Sequence, residues 1–355
     1  MKGSKISRRD MVIGSGALAA GAAFSTRVLS AAPPSSPVTP ALIEAAKKEG
    51  KAVWYTSIDL KLSEQIGKAF EAKYPGVTCQ VERSGAERLL QRINQEYSAN
   101  VHAVDVVNSS DAALLIYWKN QGVLAPYVPE DVAKFYPPEH KDPDGTFASF
   151  RVYLCIIAYN TSLVKKEDAP KSFADLLLPQ WKSKIVKAHP GYSGTILTAT
   201  YQCSRDLGWG YFEKLAQQDV LQVQSAADPP KKIALGERAV MADGVEYIIF
   251  AEKERGQPVE PVYATEGTPL IVGPNGLFKA APHPNAARLF QSFCFSPECQ
   301  QLCINIGGLR SAHPQTKEHP GRTPLSQIKL MKDDPAAVLE LGEQIKAHYV
   351  KLFHV

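Results

Sequence analysis

Between residues 52 and 120 the chain alternates three times between a short run rich in β-branched and apolar residues and a helical pattern. No other feature of its 355 residues constrains the fold as strongly. The spacing predicts strands at 52–56, 77–82 and 104–107 and helices at 61–73, 86–98 and 111–120. Pro75 and Gly76 stop the first of these helices. Strands joined by helices of this length run parallel, and a parallel sheet needs helices on both faces, which predicts an α/β fold. A Pro/Ser-rich linker at 33–40 and a short helix at 41–49, ended by Gly50, precede the series.

In an open sheet of this type, ligands bind beyond the carboxyl ends of the strands. Here those ends carry small polar residues: Thr56-Ser57, Ser84-Gly85 and Asn108-Ser109-Ser110. Each hydroxyl also suits a helix cap. Three such loops from three successive strands would line one crevice, so Thr56, Ser57, Ser84, Gly85, Ser109 and Ser110 are candidate ligand contacts.

Past a Pro-rich stretch at 126–143, residues 150–160 read as one long strand able to cross into a second lobe. That lobe opens with a strand at 184–188, the turn Pro190-Gly191-Tyr192-Ser193-Gly194-Thr195, and an apolar helix at 196–203. Ser193, Gly194 and Thr195 would present unsatisfied N–H groups, two hydroxyls and the positive end of a helix dipole, which suits an anion. Tyr192 beside them could stack on a ligand. Further on, Asp243, Glu246 and Tyr247 concentrate two carboxylates and a phenol at another helix start. Segments 268–272 and 276–278 read as return strands, and helices follow at 286–296 and 297–304.

Taken in order, several of these stretches resemble the periplasmic solute-binding proteins of ATP-driven importers, in the branch that includes ferric-ion, hexose-phosphate and phosphonate binders. The matching residues are Val53-Trp54-Tyr55-Thr56-Ser57, Asp105-Val106-Val107, Ala158-Tyr159-Asn160-Thr161 and the turn from Pro190 to Thr195, then Gly236-Glu237-Arg238-Ala239-Val240, Ser296-Pro297-Glu298 and Gly307-Gly308. The resemblance implies a type II two-lobe clamshell, each lobe a mainly parallel sheet flanked by helices, with a hinge of crossing strands. Lobe one would hold 41–150 and 277–325, and lobe two 151–276 and 326–355, its last helix packing on lobe two. It also implies a non-enzymatic carrier that delivers its solute to an ABC permease in the inner membrane. Ferric binders of this branch hold the metal with paired tyrosines, a His and a Glu. The corresponding positions here are Glu246-Tyr247, Asp59 and Ser110, so only Tyr247 matches. An oxygen-rich iron site of Asp59, Glu246 and Tyr247 is the alternative to a metal-free anion site built on Ser193, Gly194 and Thr195.

Ser7, Arg8, Arg9, Asp10 and Met11 precede an uncharged stretch at 12–24, which reads as a twin-arginine export signal at 1–32 and places the protein in the periplasm. Thirteen residues are too short for a membrane-spanning helix. The first 32 residues carry a net +4, the formal charge of the whole chain, so the remainder is near neutral and lacks the footprint for nucleic acid. At 45% hydrophobic and 21% charged it is ordinary globular material, long enough for two lobes. No exposed apolar heptad suggests oligomers, so a monomer is expected. The six cysteines form no metal motif; Cys299 and Cys303 share a helix face in poor geometry for a mutual disulfide, while Cys294 could bond one of them. With no CxxC, dinucleotide glycine fingerprint or GxSxG elbow, no cofactor is expected, and an exported enzyme is the reading of a different class. His189, beside Pro190, is the best single acid–base candidate for it, and a structural histidine the plainer account. A sensor subunit that hands its solute to a receptor kinase has the same sequence signature as a transport subunit.

Overall fold

The computed structural model describes residues 31–355; the residues read as an arginine-pair signal, 7–24, lie outside the described residues. Ser36 in the Pro/Ser segment bridges to Pro129, and Thr39 caps the first helix by accepting from the Leu42 N–H at 3.2 Å. The first half runs α1 (Pro40–Glu49), β1 (Lys51–Thr56), α2 (Leu60–Lys73), β2 (Thr78–Arg83), α3 (Ala86–Ser98), β3 (Val106–Asn108), α4 (Ala113–Asn120), β4 (Leu124–Ala125), α5 (Glu130–Phe135) and β5 (Phe147–Leu154). Next come β6 (Ile157–Asn160), β7 (Ile185–Ala188), α6 (Gly194–Leu207), α7 (Trp209–Ala216), β8 (Leu221–Val223), α8 (Asp228–Ala234), β9 (Val240–Met241), α9 (Glu246–Glu254) and β10 (Val259–Val262). The chain closes with β11 (Thr268–Phe278), α10 (Pro284–Cys294), α11 (Pro297–Gly307), β12 (Leu330–Met331) and α12 (Pro335–Phe353).

These elements form the expected two-lobe α/β architecture around two sheets. In the first, the order is β12-β11-β3-β1-β2, with β4 and β5 also paired to β11; in the second it is β10-β6-β9-β7-β8. The strand pairs β1–β2, β1–β3, β7–β8 and β7–β9 are parallel, as helix-linked strands must be. Helix α3 shows why the pattern was readable: Ala86, Leu89 and Ile93 face the sheet while Arg88 and Gln95 face solvent. Trp54 on β1 anchors the first core, its ring centroid 5.1 Å from Phe290 and 6.2 Å from Phe150.

Two differences from the sequence reading concern the passage between sheets. The single strand expected over 150–160 is two, β5 in the first sheet and β6 in the second. Between them the Cys155 N–H bonds the Pro269 carbonyl and the Ile156 N–H bonds that of Gly244, so an apolar run without a turn residue still changes partners. The two return strands are instead one, β11, whose pairing with β5 shifts register between Gly273 and Pro274. Both β5 and β11 lie wholly in the first sheet, so the change of sheet falls after residue 154 and before 268. The C-terminal helix also differs. Besides α6 and α7 it packs on α4 of the first lobe: Val338 and Ile345 share one apolar cluster with Leu197, Tyr201 and Ala113. All six cysteines are free thiols, and Cys294, Cys299 and Cys303 are buried together in the first core. No helix among the described residues is long and apolar enough to cross a membrane.

Where α4, α6 and α12 meet, one carboxylate, Asp111, is buried and a second, Asp333, is half-buried. Burial, reinforced by the charge of Glu87, raises Asp111 to about 6; burial, with Asp111 nearby, raises Asp333 to about 7. Both folded-state values exceed that of an unfolded carboxyl, so the native protein holds more protons between about pH 4 and 7 and loses stability as pH rises through that window. Asp333→Asn should therefore melt above the parent at pH 8 and together with it near pH 4, as followed by circular dichroism.

Candidate functional site

A cleft lies between the carboxyl ends of the strands of the two sheets. One wall comes from the loops after β1, β2 and β3, and the other from the turn before α6 and the loop after β8. Ser57, Asp59, Gly85 and Ser110 line the first wall; Tyr192, Ser193 and Thr195 line the second, and Tyr247 lies at the back. Strand ends generate this convergence, because parallel strands deliver their following loops to the same edge.

At the second wall, Ser193 caps α6, its hydroxyl accepting weakly from the Ile196 N–H at 3.5 Å. The first N–H groups of a helix have no intrahelical acceptor, so the Gly194 and Thr195 amides stand at the positive end of the dipole. Tyr153, on β5, ties this helix start to the opposite wall: its hydroxyl donates to the Ser110 carbonyl and pairs with the Thr195 hydroxyl at 2.9 Å. Gly194 itself is pressed against the first lobe. A Cβ at this position would lie 1.8 Å from Asp111 Oδ2. Gly194→Ala should therefore cost roughly 1–3 kcal/mol by forced overpacking. Adding Asp111→Ala should recover much of that loss, a coupling that a double-mutant cycle of thermal melts would measure.

Several residues were not anticipated from sequence. Arg151, Arg83, Arg88, Tyr153 and Gln224 all line the cleft. Arg151 is 2% exposed, donates from Nη2 to the Ser57 hydroxyl at 2.9 Å, and lies 4.9 Å over the Tyr153 ring. Its stem fills the space beside Gly273, where a Cβ would lie 2.6 Å from Nε, and that Nε has no hydrogen-bond partner. Arg88 donates to Gln224 at 3.3 Å across the cleft. Among the described residues none of these three arginines forms an ion pair with a carboxylate; Asp59 is the acid on the cleft lining. One signal was present in the sequence: Arg151 is the one charged residue in a largely apolar strand, and a buried charge is more informative than a buried apolar residue.

Other anticipated residues sit elsewhere. Thr56 is buried behind the wall, where its hydroxyl accepts from the Ile58 N–H at 3.1 Å. Ser109 turns to the Asp111 carboxylate at 3.4 Å, and Ser84 lies off the lining. Asp243 is not available to a ligand: its carboxylate pairs with buried Lys187 at 2.5 Å and accepts from the Ala188 N–H at 2.9 Å. Nor is Glu246, 1% exposed, which takes both the Nε and Nη2 of Arg310, at 2.9 and 2.8 Å, and the Tyr263 hydroxyl. This corrects the assignment of ligand-holding roles to both acids and removes Glu246 from the oxygen-rich set proposed with Asp59 and Tyr247. Among the described residues no three His, Cys, Asp or Glu side chains gather to hold a metal. Burial raises the Tyr247 phenol, with Arg151 opposing, which disfavours a tyrosinate. His189 accepts from the Gly191 N–H at 2.9 Å and packs between Tyr192 and Tyr349, a structural placement.

Comparison with known proteins gives this geometry a context. The family profile described as bacterial extracellular solute-binding protein matches residues 102–324. An uncharacterized protein of Haemophilus influenzae is 27% identical over 275 residues, 74% of this chain and 78% of its own. The periplasmic binding protein AfuA of Actinobacillus pleuropneumoniae, solved with exogenous fructose-6-phosphate bound, is 25% identical and superposes with a TM-score of 0.79, covering 86% of this chain and 99% of its own. Iron-bound HitA of Pseudomonas aeruginosa, 22% identical, gives 0.74 over 84% and 99% and so shares the fold.

Proposed function

Since the chain belongs to the bacterial extracellular solute-binding proteins, we propose that it captures a small anionic organic solute between its lobes and delivers it to an ABC permease. The solute would be phosphorylated, a phosphonate or a carboxylate. One observation supports this reading above the rest: three arginines without carboxylate partners face the start of α6 across one cleft. An oxyanion is the ligand that satisfies both, through charge-assisted bonds to guanidinium and unsatisfied amides of the helix. Ser57, Ser110, Ser193 and Thr195 add hydroxyls on either side. A solute that touches both walls favours the closed arrangement, and the crossing at Cys155–Ile156 and the β10–β11 connection would serve as hinge. We further propose export by the arginine-pair signal, a periplasmic location, action as a monomer without catalysis, and two lobes divided near the borders described above.

A thermal-shift screen of the purified protein against sugar phosphates, phosphonates, carboxylates and ferric citrate tests the reading. At a hundred times its dissociation constant, a ligand of the folded state adds about 2.7 kcal/mol, a shift of several degrees. A shift with an organic anion in metal-free buffer, reduced by Ser193→Ala, supports it. A shift with iron alone, lost in Tyr247→Phe, overturns it in favour of a ferric carrier.

A further inference from the structure

We propose that α12 is a clasp: anchored on the second lobe, it ties the first lobe to it through Lys346 and Glu87, so that the cleft closes in part before any solute arrives. The proposal rests on the carrier reading above only for its consequence in solute affinity; the tie itself does not depend on it.

Anchor and tie differ in strength. Near its C-terminal end α12 is held to the second lobe by Tyr349, a fully buried residue that packs against Phe212 and Lys187 and donates to Gln222 Oε1 at 2.8 Å. His348 stacks on Trp209 of α7 with ring centroids 4.1 Å apart. Toward the first lobe the same helix offers less. Val338 and Ile345 share a cluster with Ala113 of α4, whose side chain is a single methyl, and Lys346 Nζ reaches Glu87 Oε2 at 3.0 Å. Opening the cleft therefore breaks the contacts to α3 and α4 and leaves α12 on the second lobe.

Burial and position single out Lys346–Glu87. Their side chains are 18% and 19% exposed, so water and salt screen the pair less than one on an open surface. The other partner of Lys346, Glu343 at 3.0 Å, is 89% exposed and belongs to α12 itself, so it holds no lobe. Glu87 lies in the first turn of α3, and its neighbours also face the second lobe: Arg88 donates to Gln224 at 3.3 Å, and a Cβ on Gly85 would lie 3.6 Å from the Tyr192 carbonyl. The ion pair thus forms beside the segment that lines the cleft. A contact made only when the lobes are together raises the closed population, and any solute that needs the closed state binds more tightly in proportion.

Small-angle X-ray scattering of the solute-free protein, paired with calorimetric titration of fructose 6-phosphate, tests the clasp. Lys346→Glu and Glu87→Lys should each enlarge the solute-free radius of gyration and weaken the sugar phosphate about threefold, the scale of one ion pair. Combining the two substitutions should return both values toward the parent, and Glu343→Gln should leave them unchanged. Single variants as compact as the parent, a double variant as expanded as the singles, or expanded variants that bind as tightly as the parent would each overturn the clasp. The expected scattering pattern without heat from fructose 6-phosphate in any variant supports the clasp and counts against the anion-carrier reading alone.

Discussion

Asp243→Ala should lower the folding stability by roughly 3–5 kcal/mol, the largest single loss expected in the second lobe. The reason is what remains behind. Lys187 Nζ sits in a side chain 3% exposed, with the Asp243 carboxylate at 2.5 Å and the rings of Tyr349 and Phe212 at 4.8 and 5.8 Å. Ring faces and the Ala188 carbonyl at 3.1 Å offset only part of the cost of a buried ammonium. The Ala188 N–H, which donates to Asp243, loses its acceptor as well. In scanning calorimetry the loss should appear as a midpoint roughly 10 °C lower. Replacing both partners, Lys187→Met with Asp243→Leu, should recover most of it, because an apolar pair of similar volume avoids the desolvation that the ion pair must offset. A single variant that melts with the parent would show that Lys187 has another partner.

The second large effect concerns binding. Arg151→Met should weaken a bound organic anion by roughly 10–100-fold, the range of one or two charge-assisted hydrogen bonds. Its thermal midpoint should move far less, since a buried guanidinium without a carboxylate is replaced by an apolar chain of similar length. Arg151→Lys should recover only part of the affinity, because an ammonium lacks the fork and stacks poorly over Tyr153. The combination of weak binding and a retained melt, read by calorimetric titration and thermal scan, separates a ligand contact from a structural prop. Loss of both together would identify Arg151 as the latter.

What could be read from the sequence depended on how local its physical cause is. Helix α3 was predicted at its observed bounds, 86–98, because its apolar spacing is complete within the segment. The hydroxyl loops were readable too: topology alone brings Ser57, Ser110, Ser193 and Thr195 to one edge, since they follow strand ends. The break at Cys155 and Ile156 was hidden because both are apolar and the new partners, Pro269 on β11 and Gly244 in the loop after β9, come from distant parts of the chain. Asp243 and Glu246 were assigned to the cleft on their concentration at a helix start. Their actual partners, Lys187 and Arg310, lie far along the chain, and no local pattern announces a buried ion pair. Arg151 was passed over for the converse reason: its alternation with Phe150 and Val152 describes a strand, not the cleft into which the strand directs it.

The most direct test of the account is a calorimetric titration of the chelator-treated protein with fructose 6-phosphate and, separately, with ferric ion, while the visible spectrum is recorded. The anion cleft described here predicts saturable heat with the sugar phosphate, competed by inorganic phosphate, and no tyrosinate–iron absorbance. A coloured ferric complex in a protein silent to the phosphorylated sugar would contradict it, and would assign the cleft to a metal despite its arginines.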